Sequence, residues 1–294
     1  MIDYMIRAID ETGSIRVFVA SSTNAVQKAR EIHNTSPVST AAIGRVMTSA
    51  FLMGNTIKNK EDKISIQVTG DGLIKNIIAI ANSDGEVKAY ISNPRADLPL
   101  KSKGKLDVGG AIGKGMLTVI KDLGMREPYI GQTELVSGEI AEDLAHYFAT
   151  SDQQPSAVAL GVLVDKDYTV KSAGGYIIQV LPNAEEEVIS KLEENIANAD
   201  PVSTLIDKGY RPEDILEYVC KDLDMKILEK KELKFVCDCC EDRMEAALVS
   251  IGEKDLTEII EEDGQAEICC QFCDTKYQFD KDSLMNILEK AKTK

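Results

Sequence analysis

Six of the seven cysteines in this chain lie between Cys237 and Cys273, and the first 219 residues contain none. They read Cys237-Asp238-Cys239-Cys240 and, after the stretch from Glu241 to Ile268, Cys269-Cys270-Gln271-Phe272-Cys273. Two close pairs of thiols separated by tens of residues are what a tetrahedral thiolate zinc site uses. The physical need is plain, because an acidic segment of ~60 residues cannot bury enough apolar surface to fold securely without a staple. Six thiols compete for four places. At the second cluster Cys270-x-x-Cys273 is the preferred knuckle and Cys269 a bystander. At the first cluster Cys237 pairs with Cys239 or with Cys240, and spacing alone mildly favours Cys240 as the commoner knuckle. Cys220 lies on an apolar helical stripe and reads as core.

Charge divides the chain in the same direction. Residues 1–181 are nearly balanced at a net −1, residues 182–231 carry −6 and residues 232–294 carry −8. A total of −15 argues against a nucleic-acid backbone as the main partner, and the segment with the cysteines is the least suited of all to contact phosphates. No apolar run approaches the roughly 18 residues of a membrane span. The opening MIDYMIRAIDETG holds two acids in its first ten residues and has no apolar signal core, so a cytoplasmic address is expected. Three regions follow: an α+β domain at 1–181, a helical linker at 182–231 and a small cysteine-bearing domain at 232–294.

Within the first region Ser14–Ala20 reads as a strand, and Ser21, Ser22 and Thr23 offer an N-cap to the helix behind it. Pro37 opens a helix in which Ile43, Val46, Met47, Ala50 and Phe51 recur at helical spacing. Lys63–Thr69, Leu73–Ala81, Glu86–Ser92, Met116–Lys121, Tyr129–Val136, Ser156–Val164 and Tyr176–Leu181 read as strands, and Glu139–Thr150 as a helix. Hairpin strands interrupted by helices make an α+β fold. In the linker, Val188, Ile189, Leu192 and Ile196 form one stripe, and Ile215, Leu216, Val219, Cys220 and Leu223 another. Helices this short cannot stand alone, so these stripes require a neighbour.

Other chemistry is weakly supported. Asp107–Gly115 is glycine-rich, but Val108 and Gly115 stand where a P-loop needs Gly and Ser/Thr, and Thr118 breaks the dinucleotide pattern. A turn-rich loop is the better reading. His33 and His146 have no nucleophile signature beside them, and no Gly-x-Ser-x-Gly elbow occurs. Cys270-Gln271-Phe272-Cys273 lacks the βαβ setting of a thiol–disulfide oxidoreductase. Nothing in these residues supports an enzyme.

Long segments resemble the redox-regulated thirty-three-kilodalton heat-shock chaperone family: SPVSTAAIGRVMTSAFLMG, GKGMLTVIKDLG, EDLAHYFATSDQQPSAVALGVLV, GGYIIQVLPNA, and the run from FVCDCCEDRM to CQFCDTKYQFD. The resemblance places the family's Cys-x-Cys and Cys-x-x-Cys on Cys237, Cys239, Cys270 and Cys273, against the spacing preference for Cys240. Cys220, Cys240 and Cys269 depart from its pattern. It implies one zinc per chain in the reduced, inactive state. On oxidation it implies disulfides Cys237–Cys239 and Cys270–Cys273, loss of the metal, and unfolding of the cysteine domain and linker. It further implies ATP-independent capture of unfolding client proteins by an activated homodimer.

Overall fold

The structure is a computed structural model that describes residues 2–57, 59–101, 104–182 and 184–292. The chain forms two compact units, Met1–Val236 and Cys237–Lys294. In chain order the first contains β1 (Tyr4–Asp10), β2 (Ile15–Ser21), α1 (Thr23–His33), α2 (Pro37–Gly54), β3 (Lys63–Gly70), β4 (Asn76–Asn82) and β5 (Glu86–Ile91). It continues with α3 (Val108–Ile112), β6 (Gly115–Asp122), β7 (Tyr129–Glu134), α4 (Ala141–Thr150), β8 (Ser156–Val164) and β9 (Val170–Val180). It closes with α5 (Glu186–Ala197), α6 (Val202–Asp207), α7 (Pro212–Val219), β10 (Met225–Glu232) and β11 (Lys234–Phe235). Mixed sheets and helices make the fold α+β.

Two sheets enclose α2. One has the order β10-β1-β2-β9-β8 and the other β11-β5-β4-β3-β6-β7. Sixteen of the eighteen residues of α2 are buried, which only a helix covered on all sides allows. Pro37 supplies its first turn and the Ser36 hydroxyl accepts from the Ser39 N–H. Two of its buried hydroxyls are satisfied within the helix, Thr48 donating to the Gly44 carbonyl at 2.8 Å and Ser49 to that of Arg45 at 2.9 Å. Gly44 is required by proximity: a Cβ there would stand 2.7 Å from a Val26 methyl and 2.8 Å from one of Val162. Met5, Phe18, Ile43, Met47, Phe51, Ile66, Ile77, Val119 and Ile177 join both sheets and α2 into one core.

The two sheets differ in their outer faces. In β3, β4 and β5 buried and partly exposed residues alternate, the signature of a sheet with one wet face. In β2 and β9 burial is nearly continuous, because both faces are covered. The second cover is the linker. Val188 and Leu192 of α5, Val202 and Leu205 of α6, and Ile215, Leu216 and Val219 of α7 are buried against Ile6, Ala8, Val17, Val19, Tyr176 and Ile178. Cys220 belongs to this cluster, and Ile196 and Leu223 are packed on it while half-buried. The helical stripes therefore find their neighbour in the outer face of the five-stranded sheet.

Three local readings of the sequence are corrected. The glycine-rich run contains the short helix α3, which starts because Asp107 accepts from the Gly110 N–H. The end of the linker is strand β10, not helix: MKILEKKE pairs antiparallel with β1, a strand the sequence reading also passed over. As an edge strand, β10 needs no apolar alternation, so its charged residues hide it from pattern reading. Ser22 precedes α1, but its hydroxyl bonds Thr48 at 2.7 Å, and the Asp3 carboxylate takes the Ala25 N–H at 2.8 Å instead.

A candidate metal centre of four thiols

The second unit comprises α8 (Glu241–Ile251), α9 (Glu253–Glu262), a hairpin of β12 (Gln265–Cys269) and β13 (Lys276–Asp280), and α10 (Lys281–Lys292). Its apolar core is small: Leu248, Leu256, Ile260, Phe279, Leu284 and Ile287. Gly252, at φ 96°, makes the turn that separates α8 from α9, a conformation that favours glycine.

The hairpin builds the second half of the site. Strand alternation leaves Cys269 exposed at the end of β12, and Cys270, the next residue, is turned inward and buried. Cys270 then anchors a tight turn. Its carbonyl accepts from the N–H groups of Cys273 at 3.3 Å and Asp274 at 2.8 Å, and its own N–H donates to Thr275 at 2.9 Å. Asp274 takes the left-handed conformation, φ 57°, that closes this turn and sets Cys273 beside Cys270. The first half is the extended stretch before α8. There Arg243 pairs with the Asp238 carboxylate at 2.7 Å and donates to the Asp238 carbonyl at 3.0 Å. Cys240 is exposed as the N-cap residue of α8.

The sulfurs of Cys237, Cys239, Cys270 and Cys273 all lie within 4.8 Å of one another. Cys237 Sγ is 3.7 Å from Cys270 Sγ, and Cys239 Sγ is 3.4 Å from Cys273 Sγ. Four thiolates around a tetrahedral zinc ion at 2.3 Å would stand about 3.8 Å apart, so the set fits such an ion. Two hydroxyls serve the sulfurs. Tyr277 donates to Cys239 Sγ at 3.1 Å, and Thr275 Oγ1 lies 3.2 Å from Cys273 Sγ. Burial pushes the thiols of Cys237 and Cys270 up. At Cys273 burial is outweighed by hydrogen bonds from Thr275 and the neighbouring thiols, which bring it down to about 7.

The model of the Hsp33 protein family matches residues 3–280. The chain belongs to the Hsp33 family. It is 51% identical over 281 residues to the 33 kDa chaperonin of Alkaliphilus oremlandii, covering 95% of this chain and 94% of that one. It is 50% identical to the 33 kDa chaperonin of Desulforamulus reducens over the full length of both. The crystal structure of the 33 kDa chaperonin from Thermotoga maritima, at 35% identity, matches all of both chains with a TM-score of 0.92.

In this Hsp33 chain the clustered sulfurs include that of Cys239 and not that of Cys240, which stands exposed on the cap of α8. Thr275 and Tyr277 were not singled out from the sequence. Their position two and four residues past Cys273, on alternate residues leading into a strand, was the available signal. The two histidines lie elsewhere. His33 Nε2 is 2.9 Å from the Ala89 carbonyl at the end of α1, and His146 is half-buried on α4. Among the described residues, no helix is long and apolar enough to cross a membrane.

Proposed function

We propose that this chain is a redox-regulated, ATP-independent holdase, a chaperone and not an enzyme, that acts in the cytoplasm under oxidative stress. It divides functionally into a chaperone core at 1–181, a releasable linker at 182–231 and a switch domain at 232–294. The observation that carries the reading is the four-thiol cluster, set in a unit whose own apolar core is too small to dispense with a cross-link. Family membership and the 33 kDa chaperonin names of the relatives support it.

In the reduced state Cys237, Cys239, Cys270 and Cys273 would hold one zinc ion per chain. Bound zinc supplies a cross-link between the two cysteine knuckles and keeps the four sulfurs as thiolates, the form that peroxide attacks. Two peroxide molecules would then take two electrons each from the four thiolates, giving two disulfides, and with four protons from solvent leave as four waters. Pairing within each knuckle, Cys237 with Cys239 and Cys270 with Cys273, closes only tiny loops, consumes every metal ligand and leaves the knuckles unconnected. Pairing across, Cys237 with Cys270 and Cys239 with Cys273, would keep the unit stapled, so the identity of the disulfides decides whether the switch opens. Loss of this unit frees the linker, whose helices are too short to persist undocked, and bares the sheet face that Val188, Leu205 and Val219 cover. The exposed apolar surface binds unfolding client proteins, and the activated form is a homodimer.

The test is to count zinc and free thiols before and after peroxide and to run an aggregation assay on each sample. The reading requires about one zinc released and four thiols lost per chain, with suppression of aggregation only afterwards. Equal suppression by both samples would contradict it.

A further inference from the structure

The five-stranded sheet ends on one side in β10 and on the other in β8, and the two edges are unlike. β10 carries Lys226, Glu229, Lys230, Lys231 and Glu232, the charged dressing that keeps an edge from pairing with another chain. β8 reads SAVALGVLV: nine residues with no charge and no proline. Among the described residues it pairs only with β9.

Hydrogen-bond phase identifies which groups of β8 remain open. The Val180 N–H donates to the Pro155 carbonyl at 3.0 Å, opposite Pro155 in the β8–β9 register. In an antiparallel ladder directly opposed pairs alternate between bonded and non-bonded. Ala157, Ala159, Gly161 and Leu163 therefore exchange bonds with β9, whereas Ser156, Val158, Leu160 and Val162 aim their N–H and C=O groups out of the sheet. Among the described residues no backbone partner outside the ladder accepts these four N–H groups. Leu160 to Val164 also line a groove of about 1020 Å³ together with Leu98, Leu100 and Leu106, and Arg45, Lys105, Glu139 and Lys166 line it too.

We propose that the outer edge of β8 takes an extended, uncharged segment of a non-native polypeptide as a sixth strand. This rests on the holdase reading and names the atoms by which a client is held. Main-chain groups read no side-chain sequence, so the edge suits any unfolding chain, which offers unpaired N–H and C=O groups that a folded partner does not. The charge-free stretch from Ser156 to Val164 offers only uncharged cross-strand neighbours, which suits an uncharged segment, while the charges of the groove, Arg45, Lys105, Glu139 and Lys166 among them, lie off the strand.

The experiment uses oxidised full-length protein and a fluorescent nonapeptide of alternating valine and threonine, with an analogue N-methylated at every second residue. The proposal requires the methylated peptide to bind about tenfold more weakly, the loss of two or more net hydrogen bonds. It also requires amide exchange to slow selectively at Ser156, Val158, Leu160 and Val162 when the unmethylated peptide binds. Val158→Pro removes one outward N–H without touching the inner ladder and should weaken binding several-fold. The peptide pair keeps the test decisive if that variant folds poorly. Equal binding of the two peptides overturns the proposal, as does protection at these amides that follows protein concentration without peptide, which would make the occupant a second copy. An aggregation assay on the same sample judges the holdase reading separately: suppression with equal peptide binding would retain the holdase and discard the strand.

Discussion

Residues 2–236 and 237–292 cohere by different means. In the first unit α2 is wrapped by two sheets, the inner core is continuous from Met5 to Ile177, and a second apolar layer seals the outer sheet face. In the second, a few apolar residues gather around Phe279 and four thiols gather nearby. Cohesion spread over many buried side chains fails only when many contacts fail together. Cohesion concentrated in one cross-link fails with the chemistry of four atoms. On the proposed reading such a chain loses one part under oxidation and keeps the other: the first unit has just one cysteine, Cys220, and burial pushes its thiol up to about 12.

The largest expected effect breaks the second unit alone. Removing zinc by chelation, or replacing Cys270 with Ser, should take away a term of about 10–16 kcal/mol and unfold residues 237–292. Cys240→Ser should cost less than about 0.5 kcal/mol and leave zinc stoichiometry at one. Zinc analysis and heteronuclear NMR of each variant would check this, and loss of zinc in the Cys240 variant would move the ligand set.

How much of this contrast was legible beforehand depends on what each residue must do. The thiol cluster was readable because two close sets of cysteines leave a spacing in the sequence, although preferring Cys239 to Cys240 needed the family resemblance: the start of α8 is not marked by any strong cap. The stripes of Val188, Leu192, Leu216 and Val219 announced that something must cover them. That the cover lies on the outer face of β2 and β9 was not legible, because Arg16, Lys171 and Gln179 interrupt their apolar runs although both strands are buried on both faces. β10 was illegible because an edge strand is specified by its partner β1 and not by its own pattern. The helix α3 was hidden by glycines that usually end helices; Asp107 caps its start, and the Ala111 and Ile112 carbonyls accept from Ile74 and Gly72, partners that no local pattern announces.

A smaller effect should sharpen the boundary inside the first unit. Leu192→Ala and Val219→Ala each create a cavity between linker and sheet, costing about 2–4 kcal/mol for the leucine and less for the valine. The loss should fall on docking of α5 to α7 and leave α2 protected. Hydrogen exchange of the reduced variants reads this directly, and a drop in protection of α2 would merge the two layers into one cooperative block.

A smaller loss again concerns one polar tie across that layer. The Tyr4 hydroxyl of β1 donates to Glu213 of α7, and Lys230 of β10 pairs with the same carboxylate at 2.9 Å while standing 3.9 Å over the Tyr4 ring. Tyr4→Phe keeps the ring under Lys230 and removes the hydroxyl, so it should cost about 1–2 kcal/mol of linker docking. The oxidised variant should release α7 faster than the parent by stopped-flow fluorescence of a label on that helix. An unchanged release rate would make the tie irrelevant to docking.

The central claim is that oxidation dissolves the second unit and the linker while the core endures. Hydrogen exchange with mass spectrometry, on the zinc-loaded reduced protein and on the same protein after peroxide, tests it most directly. The account predicts that protection vanishes across 237–292 and across α5 to α7, while α2 and β3 to β6 exchange as slowly as before. Protection of α5 to α7 that survives the loss of 237–292, or α2 exchanging freely along with them, would contradict it.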